Sequence, residues 1–410
     1  MDPGHRTGDR QDGGFARIAL LGGVALLMLI PVTLPVPVLR TLVHERFGVS
    51  ELLTSLFMSI NMLGAVLTAP LVGALADRLG RRRRIALVAL VIDAICFFAM
   101  TLPGPFALFM GLRFIEGAAH ITALSMLLSL ASTSVSDAHR GRSLGLVGAG
   151  MMLGVAVGAP IGGAIGASDP LRPLIVGGYV MGLAALLAAF ALREDFGSGA
   201  PKAAAAGLRV ALREQWRLAV PLLFAFADRF TVGFYTTTFS LYLSRVHGAE
   251  PPQIGLLISA FMLPFALLSY PFGWLSERTS RVALLGIGSL AYGVGTASLV
   301  LWSPAALVWV MAAIGVSAAV MFVPTMMLTT EYASDALRST ALSAFNAAGS
   351  LGFIVGPLVG GWISEGFGSA GDWRAGYAAA FVVAGASEVL LVVFALPLLR
   401  RPASDLPAAR

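Results

Sequence analysis

The sequence is short of charge. Only 12% of its 410 residues are Asp, Glu, Lys or Arg, about half of the ~25% that a water-facing domain carries. Over this length, such a surface must face something other than water. Cysteine is almost missing: Cys96 is the single one, so no internal disulfide can form, and its apolar surroundings read as packing. The five histidines are scattered and, with one cysteine, suggest no metal-ligand cluster. No G-x4-G-K-[ST] loop is present to drive the chain with ATP. No nucleophile–base pair marks an enzyme, and no cofactor is expected. Strands of ~10 strictly alternating residues, as a membrane β-barrel requires, are lacking too. The net charge of +6 and pI near 10 come without any nucleic-acid-binding motif.

Apolar runs fill the space that charge leaves: 57% of residues are hydrophobic and mean hydropathy is +0.83. A bilayer-spanning helix needs about 20 residues at ~1.5 Å each. Twelve such runs are predicted: 17–39, 52–75, 85–102, 105–132, 143–166, 171–192, 217–243, 253–276, 282–302, 305–329, 340–364 and 375–399. The expected fold class is an all-α membrane protein whose twelve helices form two pseudo-symmetric six-helix bundles. The expected parts are a tail (1–16), a first bundle (17–192), a linker (193–216), a second bundle (217–399) and a tail (400–410). The polar start with Arg6 and Arg10 imitates a signal peptide, but the apolar run behind it exceeds twenty residues without a small-residue cleavage site, so an uncleaved first helix is expected. The linker's end, Leu208 to Trp216, is a candidate surface helix.

Of the 28 Lys and Arg, five (Arg40, Arg46, Arg172, Arg245, Arg374) fall outside when both termini are placed in the cytoplasm. Two (Arg113, Arg229) fall inside helices, and the rest lie on cytoplasmic segments. That bias follows the positive-inside rule and predicts a multi-pass protein of the plasma (inner) membrane.

The chain also repeats itself. Gly73, Leu75, Asp77, Arg78 and Arg81 recur as Gly273, Leu275, Glu277, Arg278 and Arg281, at an offset of 200. Ser136-Asp137-Ala138-x-Arg140 recurs as Ser334-Asp335-Ala336-x-Arg338, each leading into a glycine- and proline-rich run. The first run carries Gly154, Gly158, Pro160, Gly162 and Gly163; the second carries Gly352, Gly356, Pro357, Gly360 and Gly361. Matched leucines arise by chance in apolar helices, whereas polar signatures recurring in order do not.

These residues resemble the major facilitator superfamily over nearly the whole chain. The run from Gly73 to Arg84 is similar to its loop 2–3 motif, G-x-L-a-D-r-x-G-r-[kr]-x-x. The resemblance implies that Gly73, Asp77, Arg78, Gly80 and Arg81 latch one conformation; anchoring of topology by Arg81–Arg84 is the plainer alternative. The runs in helices 5 and 11 resemble g-x3-G-P-x2-G-G, a pattern tied to export in helix 5. There Ala159 stands where proline is expected and Pro160 follows; helix packing alone is the alternative. Arg113-Phe-Ile-Glu116-Gly117 resembles R-x-x-q-G of proton-coupled members, with glutamate replacing glutamine. The resemblance also implies a monomer.

An ionisable group at mid-bilayer costs at least ~2.5 kcal/mol and needs a reason. Arg113 and Glu116, three residues apart on one helix face, can pair. They are candidates for proton coupling or for a static ion pair. Asp228-Arg229 in helix 7 is a second candidate, followed by Phe230 and the cavity candidates Phe234, Tyr235 and Phe239. Asp93 and Glu388 suit packing or interhelical bonding, Asn61 and Asn346 likewise, and His120 is a possible relay one turn beyond Glu116. The expected function is a secondary transporter, a proton-coupled exporter of small amphipathic molecules, with protons, substrate and lipid as partners and no nucleic acid. A dedicated exporter or facilitator of a specific metabolite, sugar or metal-chelating small molecule is the alternative, since helix 1 lacks the membrane-embedded acid that resemblance to the twelve-helix cation-drug antiporters would imply. A transporter-like membrane sensor is the alternative from another class.

Overall fold

The computed structural model describes residues 8–79, 81–133, 137–192, 212, 215–334, 337–368 and 370–400. Regular structure among them is entirely helical. Six principal helices belong to the first half: α1 (Gly8–Thr33), α2 (Glu51–Leu79), α3 (Arg82–Ala99), α4 (Phe106–Thr133), α5 (Asp137–Gly166) and α6 (Arg172–Ala191). The second half has α7 (Ala219–Thr236, continued as Thr238–His247), α8 (Pro251–Arg278), α9 (Arg281–Ala297), α10 (Pro304–Glu331), α11 (Arg338–Gly368) and α12 (Trp373–Leu390, prolonged to Arg400).

Ten of the described helices are long and apolar enough to cross a membrane. The other two explain themselves. α9 is apolar but only 17 residues long, and α3 carries Arg82, Arg83, Arg84 and Asp93 within its 18 residues. Large apolar side chains such as Tyr270, Trp309, Phe190 and Phe394 stay exposed on the outer faces, as surfaces meant for hydrocarbon require.

Boundaries move where no residue stops a helix. The predicted loop between helices 2 and 3 shrinks because α2 continues through Leu79 and α3 begins at Arg82. Alanine, leucine and arginine favour helix, and one glycine costs only ~1 kcal/mol. Gly73, Asp77 and Arg78 therefore sit on helical backbone; their side chains, and Gly80 entirely, lie outside the described residues. Nearly all of the linker 193–216, including the candidate surface helix, also lies outside them. α7 breaks at Thr237, whose φ of −129° and ψ of −76° are not helical. The hydroxyls of Thr236 and Thr237 both donate back to the Gly233 carbonyl (3.1 and 2.8 Å), a local bond that competes with the helical ladder.

By contact, the chain forms two units: Met1–Val49 with Ser59–Ala200 and Gly248–Ser259, and Ser50–Met58 with Pro201–His247 and Ala260–Arg410. Within the first, α1 packs on α5 and α6, and α3 on α4 and α6. Within the second, α7 packs on α11, and α9 on α10 and α12. The repeat in sequence is thus a repeat in packing.

Glycine sets the distance in both units. A Cβ at Gly150, Gly154, Gly158 or Gly162 would run into the backbone carbonyls of Gly22, Leu26, Ile30 and Leu34 in turn. The steps of four residues on α5 match steps of four on α1, so the two helices run alongside each other in backbone contact. Thr33 donates to the Val155 carbonyl across the seam (2.9 Å). In the second unit Gly352 and Gly356 meet the carbonyls of Phe226 and Phe230, and Gly360 meets Thr238 and Phe234.

Candidate functional site

The first unit holds a buried polar network on α2, α3 and α4. Gly64 and Gly117 let α2 and α4 touch, because a Cβ at either would overlap the carbonyl of Phe114 or Asn61. This contact sets Asn61 opposite Glu116. Arg113 and Glu116 are 0% and 1% exposed, and Arg113 Nη1 donates to Glu116 Oε2 over 2.8 Å. Asn61 Nδ2 donates to the same oxygen. Arg113 and Asn61 thus converge on one oxygen of Glu116, the guanidinium supplying a charge-assisted bond. One turn on, His120 Nδ1 lies 3.0 Å from Asp93 Oδ2 on α3, and Asp93 is completely buried. The sequence pairing of Arg113 with Glu116 is found; the links from Asn61 to Glu116 and from Asp93 to His120 join residues 55 and 27 positions apart. The histidine that reads as isolated in sequence stands beside two acids.

The second unit holds Asp228 on α7. Asp228 and Arg229 form an ion pair with one another, so adjacency in sequence becomes contact in the structure. The Arg229 guanidinium lies 4.7 Å from the Phe322 ring centroid, where it gains a cation–π contact. Asp228 lines a narrow crevice with Phe224, Ser289, Met321, Phe322 and Thr325. Phe234, Tyr235 and Phe239, the cavity candidates, are fully buried and do not line it. They pack against aromatic neighbours instead: Phe234 on Phe230, Tyr235 on Phe261 and Tyr292, Phe239 on Phe381. Tyr235 also shares a hydrogen bond with Thr296. Glu388 on α12 is 0% exposed. Ser289 stands near it, but that hydroxyl points to the Met321 sulfur (3.2 Å), and neither Glu388 oxygen has a well-formed hydrogen bond among the described residues. Asn346 is exposed, and Asn61 alone of the two asparagines enters a network.

A third cluster escaped the sequence. Glu51, at the first turn of α2 and grouped with the second unit, is 1% exposed. Its Oε1 lies 2.6 Å from Arg245 Nε, and the Tyr377 hydroxyl donates to both of its oxygens at 2.7 Å. The Arg245 guanidinium lies 3.8 Å from the centroid of the Trp373 ring. An acid in a first helical turn reads as ordinary compensation of the helix dipole, so only its burial reveals it.

The helix 5 and 11 motif residues have a shared role in packing. Gly154 and Gly158 face α1, Gly352 and Gly356 face α7, Gly163 faces the backbone of Pro251 at the start of α8, and Gly361 faces Ser55 and Leu52 of α2. Pro160 and Pro357 are accommodated inside continuous helices. Of the loop 2–3 group, Arg81 is described and precedes α3. Its counterpart Arg281 forms an ion pair with Glu331 at the end of α10.

The Major Facilitator Superfamily sequence model matches residues 21–241 and 221–410. The chain belongs to that superfamily. It is a multi-pass membrane protein and a transporter by family. It is 28% identical over 388 residues to "Tetracycline resistance protein, class G" of Vibrio anguillarum, covering 89% of this chain and 92% of that one. It is 26% identical over 362 residues to the uncharacterised MFS-type transporter YfkF of Bacillus subtilis, covering 85% and 88%. Among solved structures, a bacterial homologue of the human lysosomal transporter Spinster superposes with a TM-score of 0.81 at 17% identity, covering 97% of this chain and 99% of that one. A D-xylose–proton symporter does so with a TM-score of 0.73 at 16% identity, covering 93% and 96%. At such identities these structures carry the fold.

Proposed function

We propose that the protein is a proton-coupled exporter of small amphipathic molecules that works by alternating access in the inner membrane, as a monomer with both termini in the cytoplasm. The observation that carries this reading is the buried Arg113–Glu116–Asn61 network. A charge pair in the membrane interior is expensive and marks ion or proton pathways. Glu116 is neutralised here by Arg113; when the helices rearrange and that bond opens, only a proton can neutralise it. The Asp228–Arg229 pair beside the crevice is a second coupling candidate of the same design. Export is supported by the tetracycline resistance protein, whose name concerns that protein, and by the glycine runs of α5 and α11. The proposed latch of Asp77, Arg78 and Arg81 would hold one state between cycles.

A dedicated carrier of one metabolite, sugar or chelator is the second reading. It is favoured by α1, whose described side chains include no acid; Thr33 is spent on the bond to α5.

Inside-out vesicles with an acidic interior, a pH-sensitive dye and a panel of lipophilic cations, neutral drugs, sugars and chelators test both readings. Proton release on one class is expected, and Glu116→Gln should abolish it while exchange of the same compound continues. Uphill transport unchanged in Glu116→Gln would remove Glu116 from the mechanism.

A further inference from the structure

Beside the Arg113–Glu116 pair stand two titratable groups that it does not use. Asp93 and His120 share a hydrogen bond, while Asp93 Oδ1 and His120 Nε2 are buried without a hydrogen-bond partner among the described residues. One ligating atom each of Asp93, Glu116 and His120 lies within 4.8 Å of the others. Such a trio suggests a metal site, but two observations argue against it. Nδ1 and Oδ2, 3.0 Å apart, already engage each other at hydrogen-bond distance, and the Arg113 cation already occupies the Glu116 oxygen, where it would repel a second cation.

Charge balance points elsewhere. Arg113 cancels Glu116, and Asp93 remains. While Arg113 is engaged by Glu116, an uncompensated Asp93 carboxylate is not tolerated in a dry interior, so in this arrangement the pair holds a proton, on the carboxyl or as imidazolium against carboxylate; when Glu116 is protonated, Arg113 is left to balance Asp93 and the pair can be empty. The neighbouring charges are Arg113 and Glu116 on α4, with Asn61 facing from α2 and the Cys96 thiol on α3. From α6 come only Arg172, bonded to Ser168, and Tyr179, packed on Phe98; the described side chains of α1 and α5 offer no titratable group.

We propose that the Asp93–His120 pair is a proton store of the transport cycle, the acceptor of the proton that Glu116 gives up. In the transfer the Glu116 O–H bond breaks and an N–H bond forms on the neutral imidazole. Glu116 becomes the carboxylate that Arg113 and Asn61 hold, and the imidazolium is held by Asp93. The arrangement seen here is the state after transfer. Release then proceeds through rearrangement around His120 Nε2, the ring atom with no partner among the described residues. This inference rests on Glu116 as carrier of the coupled proton.

The test uses the purified full-length protein in detergent, with the proton itself as probe. Its thermal midpoint is followed from about pH 5 to 8, the range in which histidine titrates. A titration step is expected in the wild type and in Glu116→Gln, and its loss is expected in His120→Gln and in Asp93→Asn. His120→Gln keeps a hydrogen-bonding side chain at a site 12% exposed, so it serves should Asp93→Asn fail to fold. Wild type and His120→Gln with coincident profiles would overturn the store. In proteoliposomes, one coupled proton supports about tenfold accumulation per unit of pH gradient; His120→Gln should bring the ratio to about one while leaving exchange intact. Full accumulation in His120→Gln, with loss in Glu116→Gln, would sink the store alone. Full accumulation in Glu116→Gln would instead sink the coupling reading on which it rests.

Discussion

At the scale of single residues, buried acids differ by what neutralises them. Asp228 has Arg229, whereas Glu388 has no ion-pair partner among the described residues and no well-formed hydrogen bond. The two should answer differently to amide substitution. Asp228→Asn leaves Arg229 largely buried without its counter-charge and should cost ~3 kcal/mol. Glu388→Gln removes a group that interior burial already penalises, so stability should stay level or rise by ~1 kcal/mol. Thermal unfolding of both variants in one detergent at neutral pH reads the contrast, and equal losses would refute it. The residue types were legible in the sequence, as six acids and arginines deep in apolar runs (Asp93, Arg113, Glu116, Asp228, Arg229 and Glu388). Their partners were less so. Arg113 and Glu116 share a helix face, and spacing alone joins them. Asp93 and His120 come together only through the packing of α3 on α4, which no local pattern encodes.

At the scale of helices, glycine position matters more than glycine content. The ladder Gly150, Gly154, Gly158, Gly162 has no free space on its α1 face, yet Gly23, on α1 itself, has no heavy atom within 4 Å of where a Cβ would stand. Gly158→Leu would drive a side chain into the Ile30 carbonyl and the Thr33 hydroxyl, and overpacking of this kind costs about 1–3 kcal/mol or more. Gly23→Ala meets nothing and should gain up to ~1 kcal/mol from helix propensity. Unfolding temperatures and the monodisperse fraction on size exclusion check both; a tolerated Gly158→Leu would mean that α1 and α5 are not held in backbone contact. The motif spacing announced these seams, since steps of four residues place glycines on one face. What it left open was the partner helix. Gly64 and Gly117, which set Asn61 against Glu116, belong to no such run, and their role follows from the contact of α2 with α4.

At the scale of the whole molecule, the repeat in sequence foretold two bundles with equivalent packing. It did not foretell that α2 would serve both units, its first turns grouped with the second and the rest with the first. Helix periodicity reports which face is apolar, and tertiary contact alone decides which unit that face joins. Glu51 fixes the beginning of α2 within its unit through Arg245 and Tyr377. Breaking a buried ion pair from one side leaves the other charge stranded, at ~3 kcal/mol or more, whereas removing both charges costs far less. Glu51→Gln and Arg245→Gln should therefore each lower the thermal midpoint, and the double variant should be more stable than the sum of the two losses. The interaction energy from that cycle is expected near ~2 kcal/mol, within the span found for residues in contact. A strictly additive cycle would show that Glu51 and Arg245 do not depend on each other. The start of α2 would then be held by Tyr377 and by the Leu52 amide bonded to Glu365 (2.9 Å), with no contribution from the charge pair.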